Sequence, residues 1–309
     1  MSDLPVTRAD VEVAAERIRG KVRVTPVIEV AAEDFGLQGR PISFKLEFMQ
    51  HSGSFKARGA FNSLLSQDIP EAGIVAASGG NHGAAVAFAA GRLGIRARIF
   101  VPEAASPAKI AQIQSYGAEL TVTGEYFSDA QLAAEECIAA TGALRVHPFD
   151  QIGTLEGQGT TAMEFVAQAA PDTILVATGG GGLIGGMAAW SQGTPRLISV
   201  EPETAPTLHM AMAAGGPVDA PTGGVAADSL APKQVGSLLY PICAAYVAQT
   251  VLVPDEAIRH AQQRIWDVLR VVVEPGGATA FAALLSGAWK PEPDEKLGVL
   301  LCGANTTAV

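Results

Sequence analysis

GIVAASGGNHGAAVAFAAGRLGIRARIFVP, residues 73–102, reads as a buried strand, a glycine-rich turn, an alanine-rich helix and a second buried strand. The runs Gly73–Ala77 and Ala97–Val101 have strand length, and Asn81–Leu93 between them has the length of a helix. The alternation continues outward. A helix at Pro107–Tyr116 closed by Gly117, a strand at Leu120–Thr123, a helix at Ser128–Thr141 with Ser128 as N-cap and a strand at Leu144–Val146 follow in turn. This β-α-β-α-β order predicts an α/β fold with a parallel sheet covered by helices on both faces.

Both flanks repeat the style. Upstream, Thr7–Arg19 reads as a capped helix closed by Gly20, Ile42–Leu46 as a strand and Phe61–Leu65 as the continuation of a helix. Downstream come a helix at Thr154–Ala169, strands at Thr173–Ala177 and Leu197–Val200, and a helix at Leu183–Gln192 between those strands. A strand at Gln249–Val253, a helix at Asp255–Val268 and a strand at Leu297–Leu301 complete the chain. Residues 214–237, rich in Gly, Pro and Asp, are expected to form a long functional loop.

A length of 309 residues suggests about two domains. The net charge of -10 repels phosphate backbones, which argues against nucleic-acid binding. No basic amphipathic segment suggests a membrane surface, and no apolar stretch is long enough to span a bilayer. The N-terminus has acids and no apolar run, unlike a signal peptide. Cys137, Cys243 and Cys302 show no CxxC or Cys/His spacing, so neither a disulfide framework nor a zinc site is expected. The expectation is a soluble, cytoplasmic protein of a reducing compartment.

Four loops carry the chemistry. Ser-Gly-Ser-Phe-Lys-Ala-Arg-Gly, residues 52–59, sets Lys56 among small and apolar neighbours, where an amine loses its proton more easily and attacks a carbonyl as a Schiff-base former. Thr178-Gly179-Gly180-Gly181-Gly182-Leu183 lies between a strand and a helix, so its backbone N–H groups converge at a helix start and suit a phosphate. It lacks the Lys-Ser/Thr of a P-loop and the acid of a dinucleotide site. An aldehyde that also carries a phosphate needs both loops, and pyridoxal phosphate is that cofactor. Ser78-Gly79-Gly80-Asn81-His82 offers backbone donors at another helix start, which suit a substrate carboxylate. Cys302 follows the last strand, at a carboxyl end where α/β sheets bind ligands. Taken alone, Cys302 reads as a core thiol, His82 as an ordinary helix-start histidine and Glu274-Pro275-Gly276-Gly277 as a turn with a solvated acid.

Together the SGSFKARGA, SGGNHG and GGGGL motifs resemble the fold-type II pyridoxal-phosphate enzymes, specifically the serine/threonine dehydratase and serine racemase family. The resemblance covers nearly the whole chain, in order. It implies two domains, each an open, twisted, mostly parallel sheet flanked by helices, as in tryptophan synthase β. Residues 1–47 plus 146–309 would form the large cofactor domain and residues 48–145 a small inserted one. It implies Lys56 as the Schiff-base lysine, Phe55 beside the cofactor, Asn81 at the ring hydroxyl and Gly179–Gly182 at the phosphate. Cys302 would face the pyridine nitrogen and Glu274 would lie near the ring. Ser78, Gly79, Gly80, Asn81 and His82 would bind the substrate carboxylate, with Asp228 near the substrate side chain.

The activity so implied is α,β-elimination of water from L-threonine or L-serine, giving 2-oxobutyrate or pyruvate plus ammonia. Other hydroxy amino acids, of the 3-hydroxyaspartate or hydroxyectoine type, are alternatives, as are a serine racemase, β-replacement and a non-catalytic cofactor-binding protein. Family racemases carry a serine where this chain has Gly79, which supplies no second base, so racemization is disfavoured. The family's divalent-ion site would use Glu201, the Ala205 carbonyl and an acid at 207. Thr207 stands there instead, so no metal is expected. The family analogy suggests a homodimer or homotetramer, and the end at Val309 resembles the short catabolic type.

Overall fold

The computed structural model describes residues 4–306. Helix α1 (Arg8–Arg17) is capped by Thr7, whose N–H donates to the Asp10 carboxylate at 2.8 Å. Strands β1 (Val27–Val30) and β2 (Ile42–Leu46) pair antiparallel, and helix α2 (Lys56–Leu65) follows. Next, β3 (Ile74–Ala77), α3 (Asn81–Leu93), β4 (Ala97–Val101), α4 (Pro107–Ser115), β5 (Glu119–Val122), α5 (Phe127–Thr141) and β6 (Leu144–Arg145) alternate. The second half runs α6 (Ile152–Ala169), β7 (Thr173–Ala177), α7 (Gly182–Ser191), β8 (Arg196–Pro202), α8 (Thr207–Ala214) and the single turn α9 (Ala227–Leu230). It closes with α10 (Tyr240–Tyr246), β9 (Val247–Val253), α11 (Asp255–Leu269), α12 (Pro275–Leu285) and β10 (Leu297–Leu301).

The strands form two sheets. One has the order β5-β4-β3-β6 and is parallel throughout. The other has the order β1-β2-β10-β7-β8-β9 and is parallel except for β1. Strand β10 inserts between β2 and β7, so the late chain is stitched into a sheet begun by the early chain. Burial on both faces explains the near-continuous apolar sequence of β7 and β10, every residue of which is buried. Around the larger sheet the Phe35, Phe44 and Phe281 rings meet edge-on or tilted, with centroids 4.8–5.5 Å apart. Around the smaller sheet Phe61, Ile74, Ile99 and Ile113 form a separate core cluster. Among the described residues no helix is long and apolar enough to cross a membrane.

Three local expectations change. Helix α5 starts at Phe127 rather than Ser128, because the Asp129 carboxylate accepts from the Tyr126 N–H at 2.9 Å and makes Tyr126 the cap. Helix α2 starts at Lys56 itself, not within a loop that turns helical later. The segment after Glu274 is no turn: Pro275 opens α12 at a position where its missing N–H costs nothing.

Each sheet has a switch point. In the smaller one the chain moves from β3 to β4 and β5 on one side and returns to β6 on the other. In the larger one β7 leads to β8 and β9 on one side, while β10 lies on the other. Crevices open at the carboxyl ends of strands at such points. The loops leaving β3, β6, β7 and β10 all line one cleft of about 1430 Å³.

Candidate active site

Lys56 enters this cleft from the head of α2. Its backbone is fixed by the last strand's exit: the Phe55 N–H donates to the Cys302 carbonyl at 3.1 Å, and the Ala304 N–H donates to Gly53 at 3.0 Å. The amine donates to the Pro148 carbonyl at 2.8 Å and stands 5.1 Å from the Phe55 ring centroid. Burial pulls the amine down to about 8, against the opposing pull of the Glu274 carboxylate. Lys56 is thus half-converted to the neutral nucleophile near neutral-to-basic pH.

The glycine loop leaves β7 and starts α7. Gly181 has φ +88°, a conformation that strains other residues. A Cβ on Gly180 would lie 2.5 Å from the Phe149 ring, and one on Gly179 would lie 2.8 Å from the Leu230 Cα. Packing therefore closes one side of the loop. None of the Gly179–Gly182 N–H groups donates to a protein acceptor among the described residues. Unpaired buried donors are rare in proteins. Four free N–H groups at a helix start, three of them on buried glycines and one on the half-buried Gly180, form a cradle for a phosphate.

The loop leaving β3 holds Asn81 between two partners from the larger sheet's side. Its Nδ2 donates to the Glu274 Oε1 at 2.5 Å, and its Oδ1 accepts from the Asn305 Nδ2 at 2.7 Å. Asn305 also donates to the Ser52 carbonyl at 2.8 Å. Glu274 is 4 % exposed, far from the solvated acid of a surface turn. Burial pushes its carboxyl up to about 7, although Asn81 and Lys109 favour the ionised form. The Ser78 hydroxyl accepts from the Gly80 N–H at 3.2 Å. The Asn81 and His82 N–H groups have no protein acceptor among the described residues. The His82 ring is buried, donates from Nε2 to the Val146 carbonyl at 3.0 Å and is pushed down to about 3, chiefly by burial. Its imidazole is neutral and engaged, so its free donor is the backbone N–H.

Cys302 sits buried on the cleft floor, its thiol 3.4 Å from the Gly276 carbonyl. Burial keeps that thiol well above its ordinary range and therefore neutral. Asp228 meets the Lys109 ammonium at the rim in an ion pair. Glu201 accepts from the Leu208 and His209 N–H groups at 2.6 and 2.9 Å, which caps α8. Burial pushes Glu201 up to about 8.

The geometry thus gathers Lys56, Phe55, Asn81, the four glycines, Glu274 and Cys302 around one cleft. Residues 148–150 also line it, and Asn305 supports Asn81. The His147-Pro148-Phe149-Asp150 turn directly follows a strand, so the carboxyl-end rule points to it. Asn305 gave no such signal, because its role comes from a contact with Asn81, which lies 224 positions earlier.

A family model described as "Pyridoxal-phosphate dependent enzyme" matches residues 18–303. A phenylserine dehydratase of Ralstonia pickettii is 40% identical over 299 residues, covering 94% of this chain and 91% of the relative. A serine racemase of Oryza sativa subsp. indica is 36% identical over 307 residues, covering 94% of this chain and 88% of the relative. The crystal structure of a T.th. threonine deaminase superposes with a TM-score of 0.91 at 34% identity, covering 98% of this chain and 99% of that one. The paired parallel sheets are the architecture of fold-type II. The chain belongs to the pyridoxal-phosphate dependent enzyme family.

Proposed function

We propose that this protein is a pyridoxal-phosphate-dependent dehydratase that eliminates water from 3-hydroxy amino acids such as L-threonine and L-serine, releasing a 2-oxo acid and ammonia. The observation that carries the reading is the Lys56 amine, drawn down to about 8 in a cleft that also holds four unpaired glycine N–H groups. These residues fit the cofactor: Lys56 would hold its aldehyde, Gly179–Gly182 its phosphate, Asn81 its ring hydroxyl and Cys302 its ring nitrogen. When bound, the cofactor supplies an electron sink for the negative charge left at the substrate α-carbon.

The chain's own residues do the rest. The N–H groups at the start of α3 hold the substrate carboxylate. The neutral Lys56 amine takes the α-proton, as a base matched to the working pH. The neutral thiol of Cys302 places no anion on the cleft floor, which favours prompt loss of the β-hydroxyl over competing outcomes. A second base opposite Lys56 is what racemization needs, and Gly79 supplies none. The names of the relatives, a phenylserine dehydratase and a threonine deaminase, support elimination.

The test is 2-oxo-acid release from L-threonine, L-serine, their D-forms, threo-3-hydroxyaspartate and 3-phenylserine, with pyridoxal phosphate added. Release from the L-forms, with no D-serine formed from L-serine, is expected. Silence on every hydroxy amino acid while the cofactor's absorbance is present would overturn the reading.

A further inference from the structure

Two residues beyond Lys56, Arg58 is 1 % exposed. All five of its N–H groups have acceptors. Nε donates to Glu47 Oε2 at 2.9 Å, Nη2 to Glu47 Oε1 at 2.7 Å and Glu164 Oε1 at 2.9 Å, and Nη1 to Glu164 Oε2 at 3.0 Å and Thr160 Oγ1 at 3.3 Å. Lys45, 0 % exposed, directs its three donors to Glu164 at 2.5 Å, the Thr25 carbonyl at 2.8 Å and Gln168 at 2.7 Å. The Thr25 hydroxyl donates to Glu47 at 2.5 Å. Two cations face two carboxylates, so the cluster is neutral and every cationic donor is used.

Stability alone does not explain such a cluster. Desolvation offsets most of the attraction in a buried ion network, and apolar residues of equal volume often do as well. A saturated network does fix geometry. The element it fixes is the first turn of α2, which lacks a side-chain N-cap and begins with Lys56. Glu47 reaches Arg58 from the end of β2, and Glu164 and Thr160 reach it from α6, so the turn is gripped from two sides.

We propose that Arg58 is a positioning residue: its guanidinium, gripped by Glu47 and Glu164, clamps the first turn of α2 and so holds the Lys56 amine at the cleft against Pro148. The claim rests on the reading of Lys56 as the reactive amine. Lysine does not replace arginine here, because three donors on a flexible stem do not span five acceptors in a plane. Lys45 provides the internal control. It belongs to the same cluster but lies on β2 and bonds no residue of α2.

The experiment compares Arg58→Lys, Lys45→Met and Lys56→Ala in cofactor-free protein. Pyridoxal phosphate affinity is read by absorbance titration, the pH midpoint of Lys56 labelling by reductive methylation, and Tm by thermal melting. Both network variants are expected to lower Tm. Arg58→Lys alone should weaken pyridoxal phosphate binding by tenfold or more and move the Lys56 midpoint upward, while Lys45→Met stays within twofold on both readouts. If Arg58→Lys does not fold, Glu164→Gln, which leaves the Glu47 pair intact, should move both readouts the same way by a smaller factor. Equal effects of Arg58→Lys and Lys45→Met on affinity and midpoint, or no effect of Arg58→Lys and Glu164→Gln, would overturn the clamp. Cofactor absorbance that survives Lys56→Ala would instead overturn the Lys56 reading.

Discussion

The Lys56 amine stands 2.8 Å from the Pro148 carbonyl, so a helix head on one wall of the cleft meets the exit of the smaller sheet on the other. A carbonyl accepts a hydrogen bond from either protonation state of the amine, whereas a carboxylate at that distance would hold it charged. Labelling of Lys56 in cofactor-free protein should therefore rise through a midpoint near 8, well below that of the surface lysines. A midpoint shared with those lysines would show that burial does not govern this amine.

Gly180 is closed in by Phe149. A Cβ there would sit 2.5 Å from the ring, closer than van der Waals contact allows. Gly180→Ala is expected to cost about 1–3 kcal/mol in stability through overpacking and to weaken pyridoxal phosphate binding. Phe149→Leu should restore part of both losses in the double variant. Absence of any rescue would place the defect elsewhere in the loop.

Glu274 carries a sign that thermal melting can read. Its folded pKa, raised to about 7 by burial, exceeds its unfolded value near 4.5. The unfolded state thus releases this proton first, and the neutral acid's stabilising share is present below pH 4.5 and fades as pH rises through 7. Glu274→Gln keeps an acceptor for Asn81 and removes the titration. The Tm difference, variant minus wild type, should become more positive between about pH 4.5 and about pH 8. A difference that is flat or falls with pH contradicts the assignment.

At Gly79, an added Cβ would meet the Ala105 Cβ at 2.8 Å. Gly79→Ser alone should lower elimination through this contact. The double variant Gly79→Ser, Ala105→Gly relieves the contact and should recover elimination, as measured by 2-oxo-acid release. Recovery by neither variant would mean that more than this contact matters.

Much of this was legible from residue order. Short apolar runs alternating with alanine-rich stretches marked out β3, β4, β7 and β10, because strands buried on both faces leave a clear apolar signature. Strand β1, with Glu29 exposed at a sheet edge, leaves none. Helix α10 is seven residues long, too short for a periodic pattern. Helix α12 was hidden behind Pro275-Gly276-Gly277, a run that punctuates turns but here opens a buried helix. Gly277 tolerates burial there because a Cβ would lie 2.2 Å from the Gly303 carbonyl, leaving room for glycine alone. The site loops were visible as motifs. Their cross-cleft partners were not, since Asn305, Pro148 and the Glu47–Arg58–Glu164 cluster meet only through tertiary contacts.

The central claim is that the Lys56 amine takes the α-proton during water loss. Its most direct test is 2-oxobutyrate release from L-threonine by wild type and Lys56→Ala side by side, at saturating pyridoxal phosphate. The account predicts steady release by wild type and a loss on the order of 10²–10⁴-fold in the variant, the usual worth of a general base. Release by Lys56→Ala at the wild-type rate would contradict it.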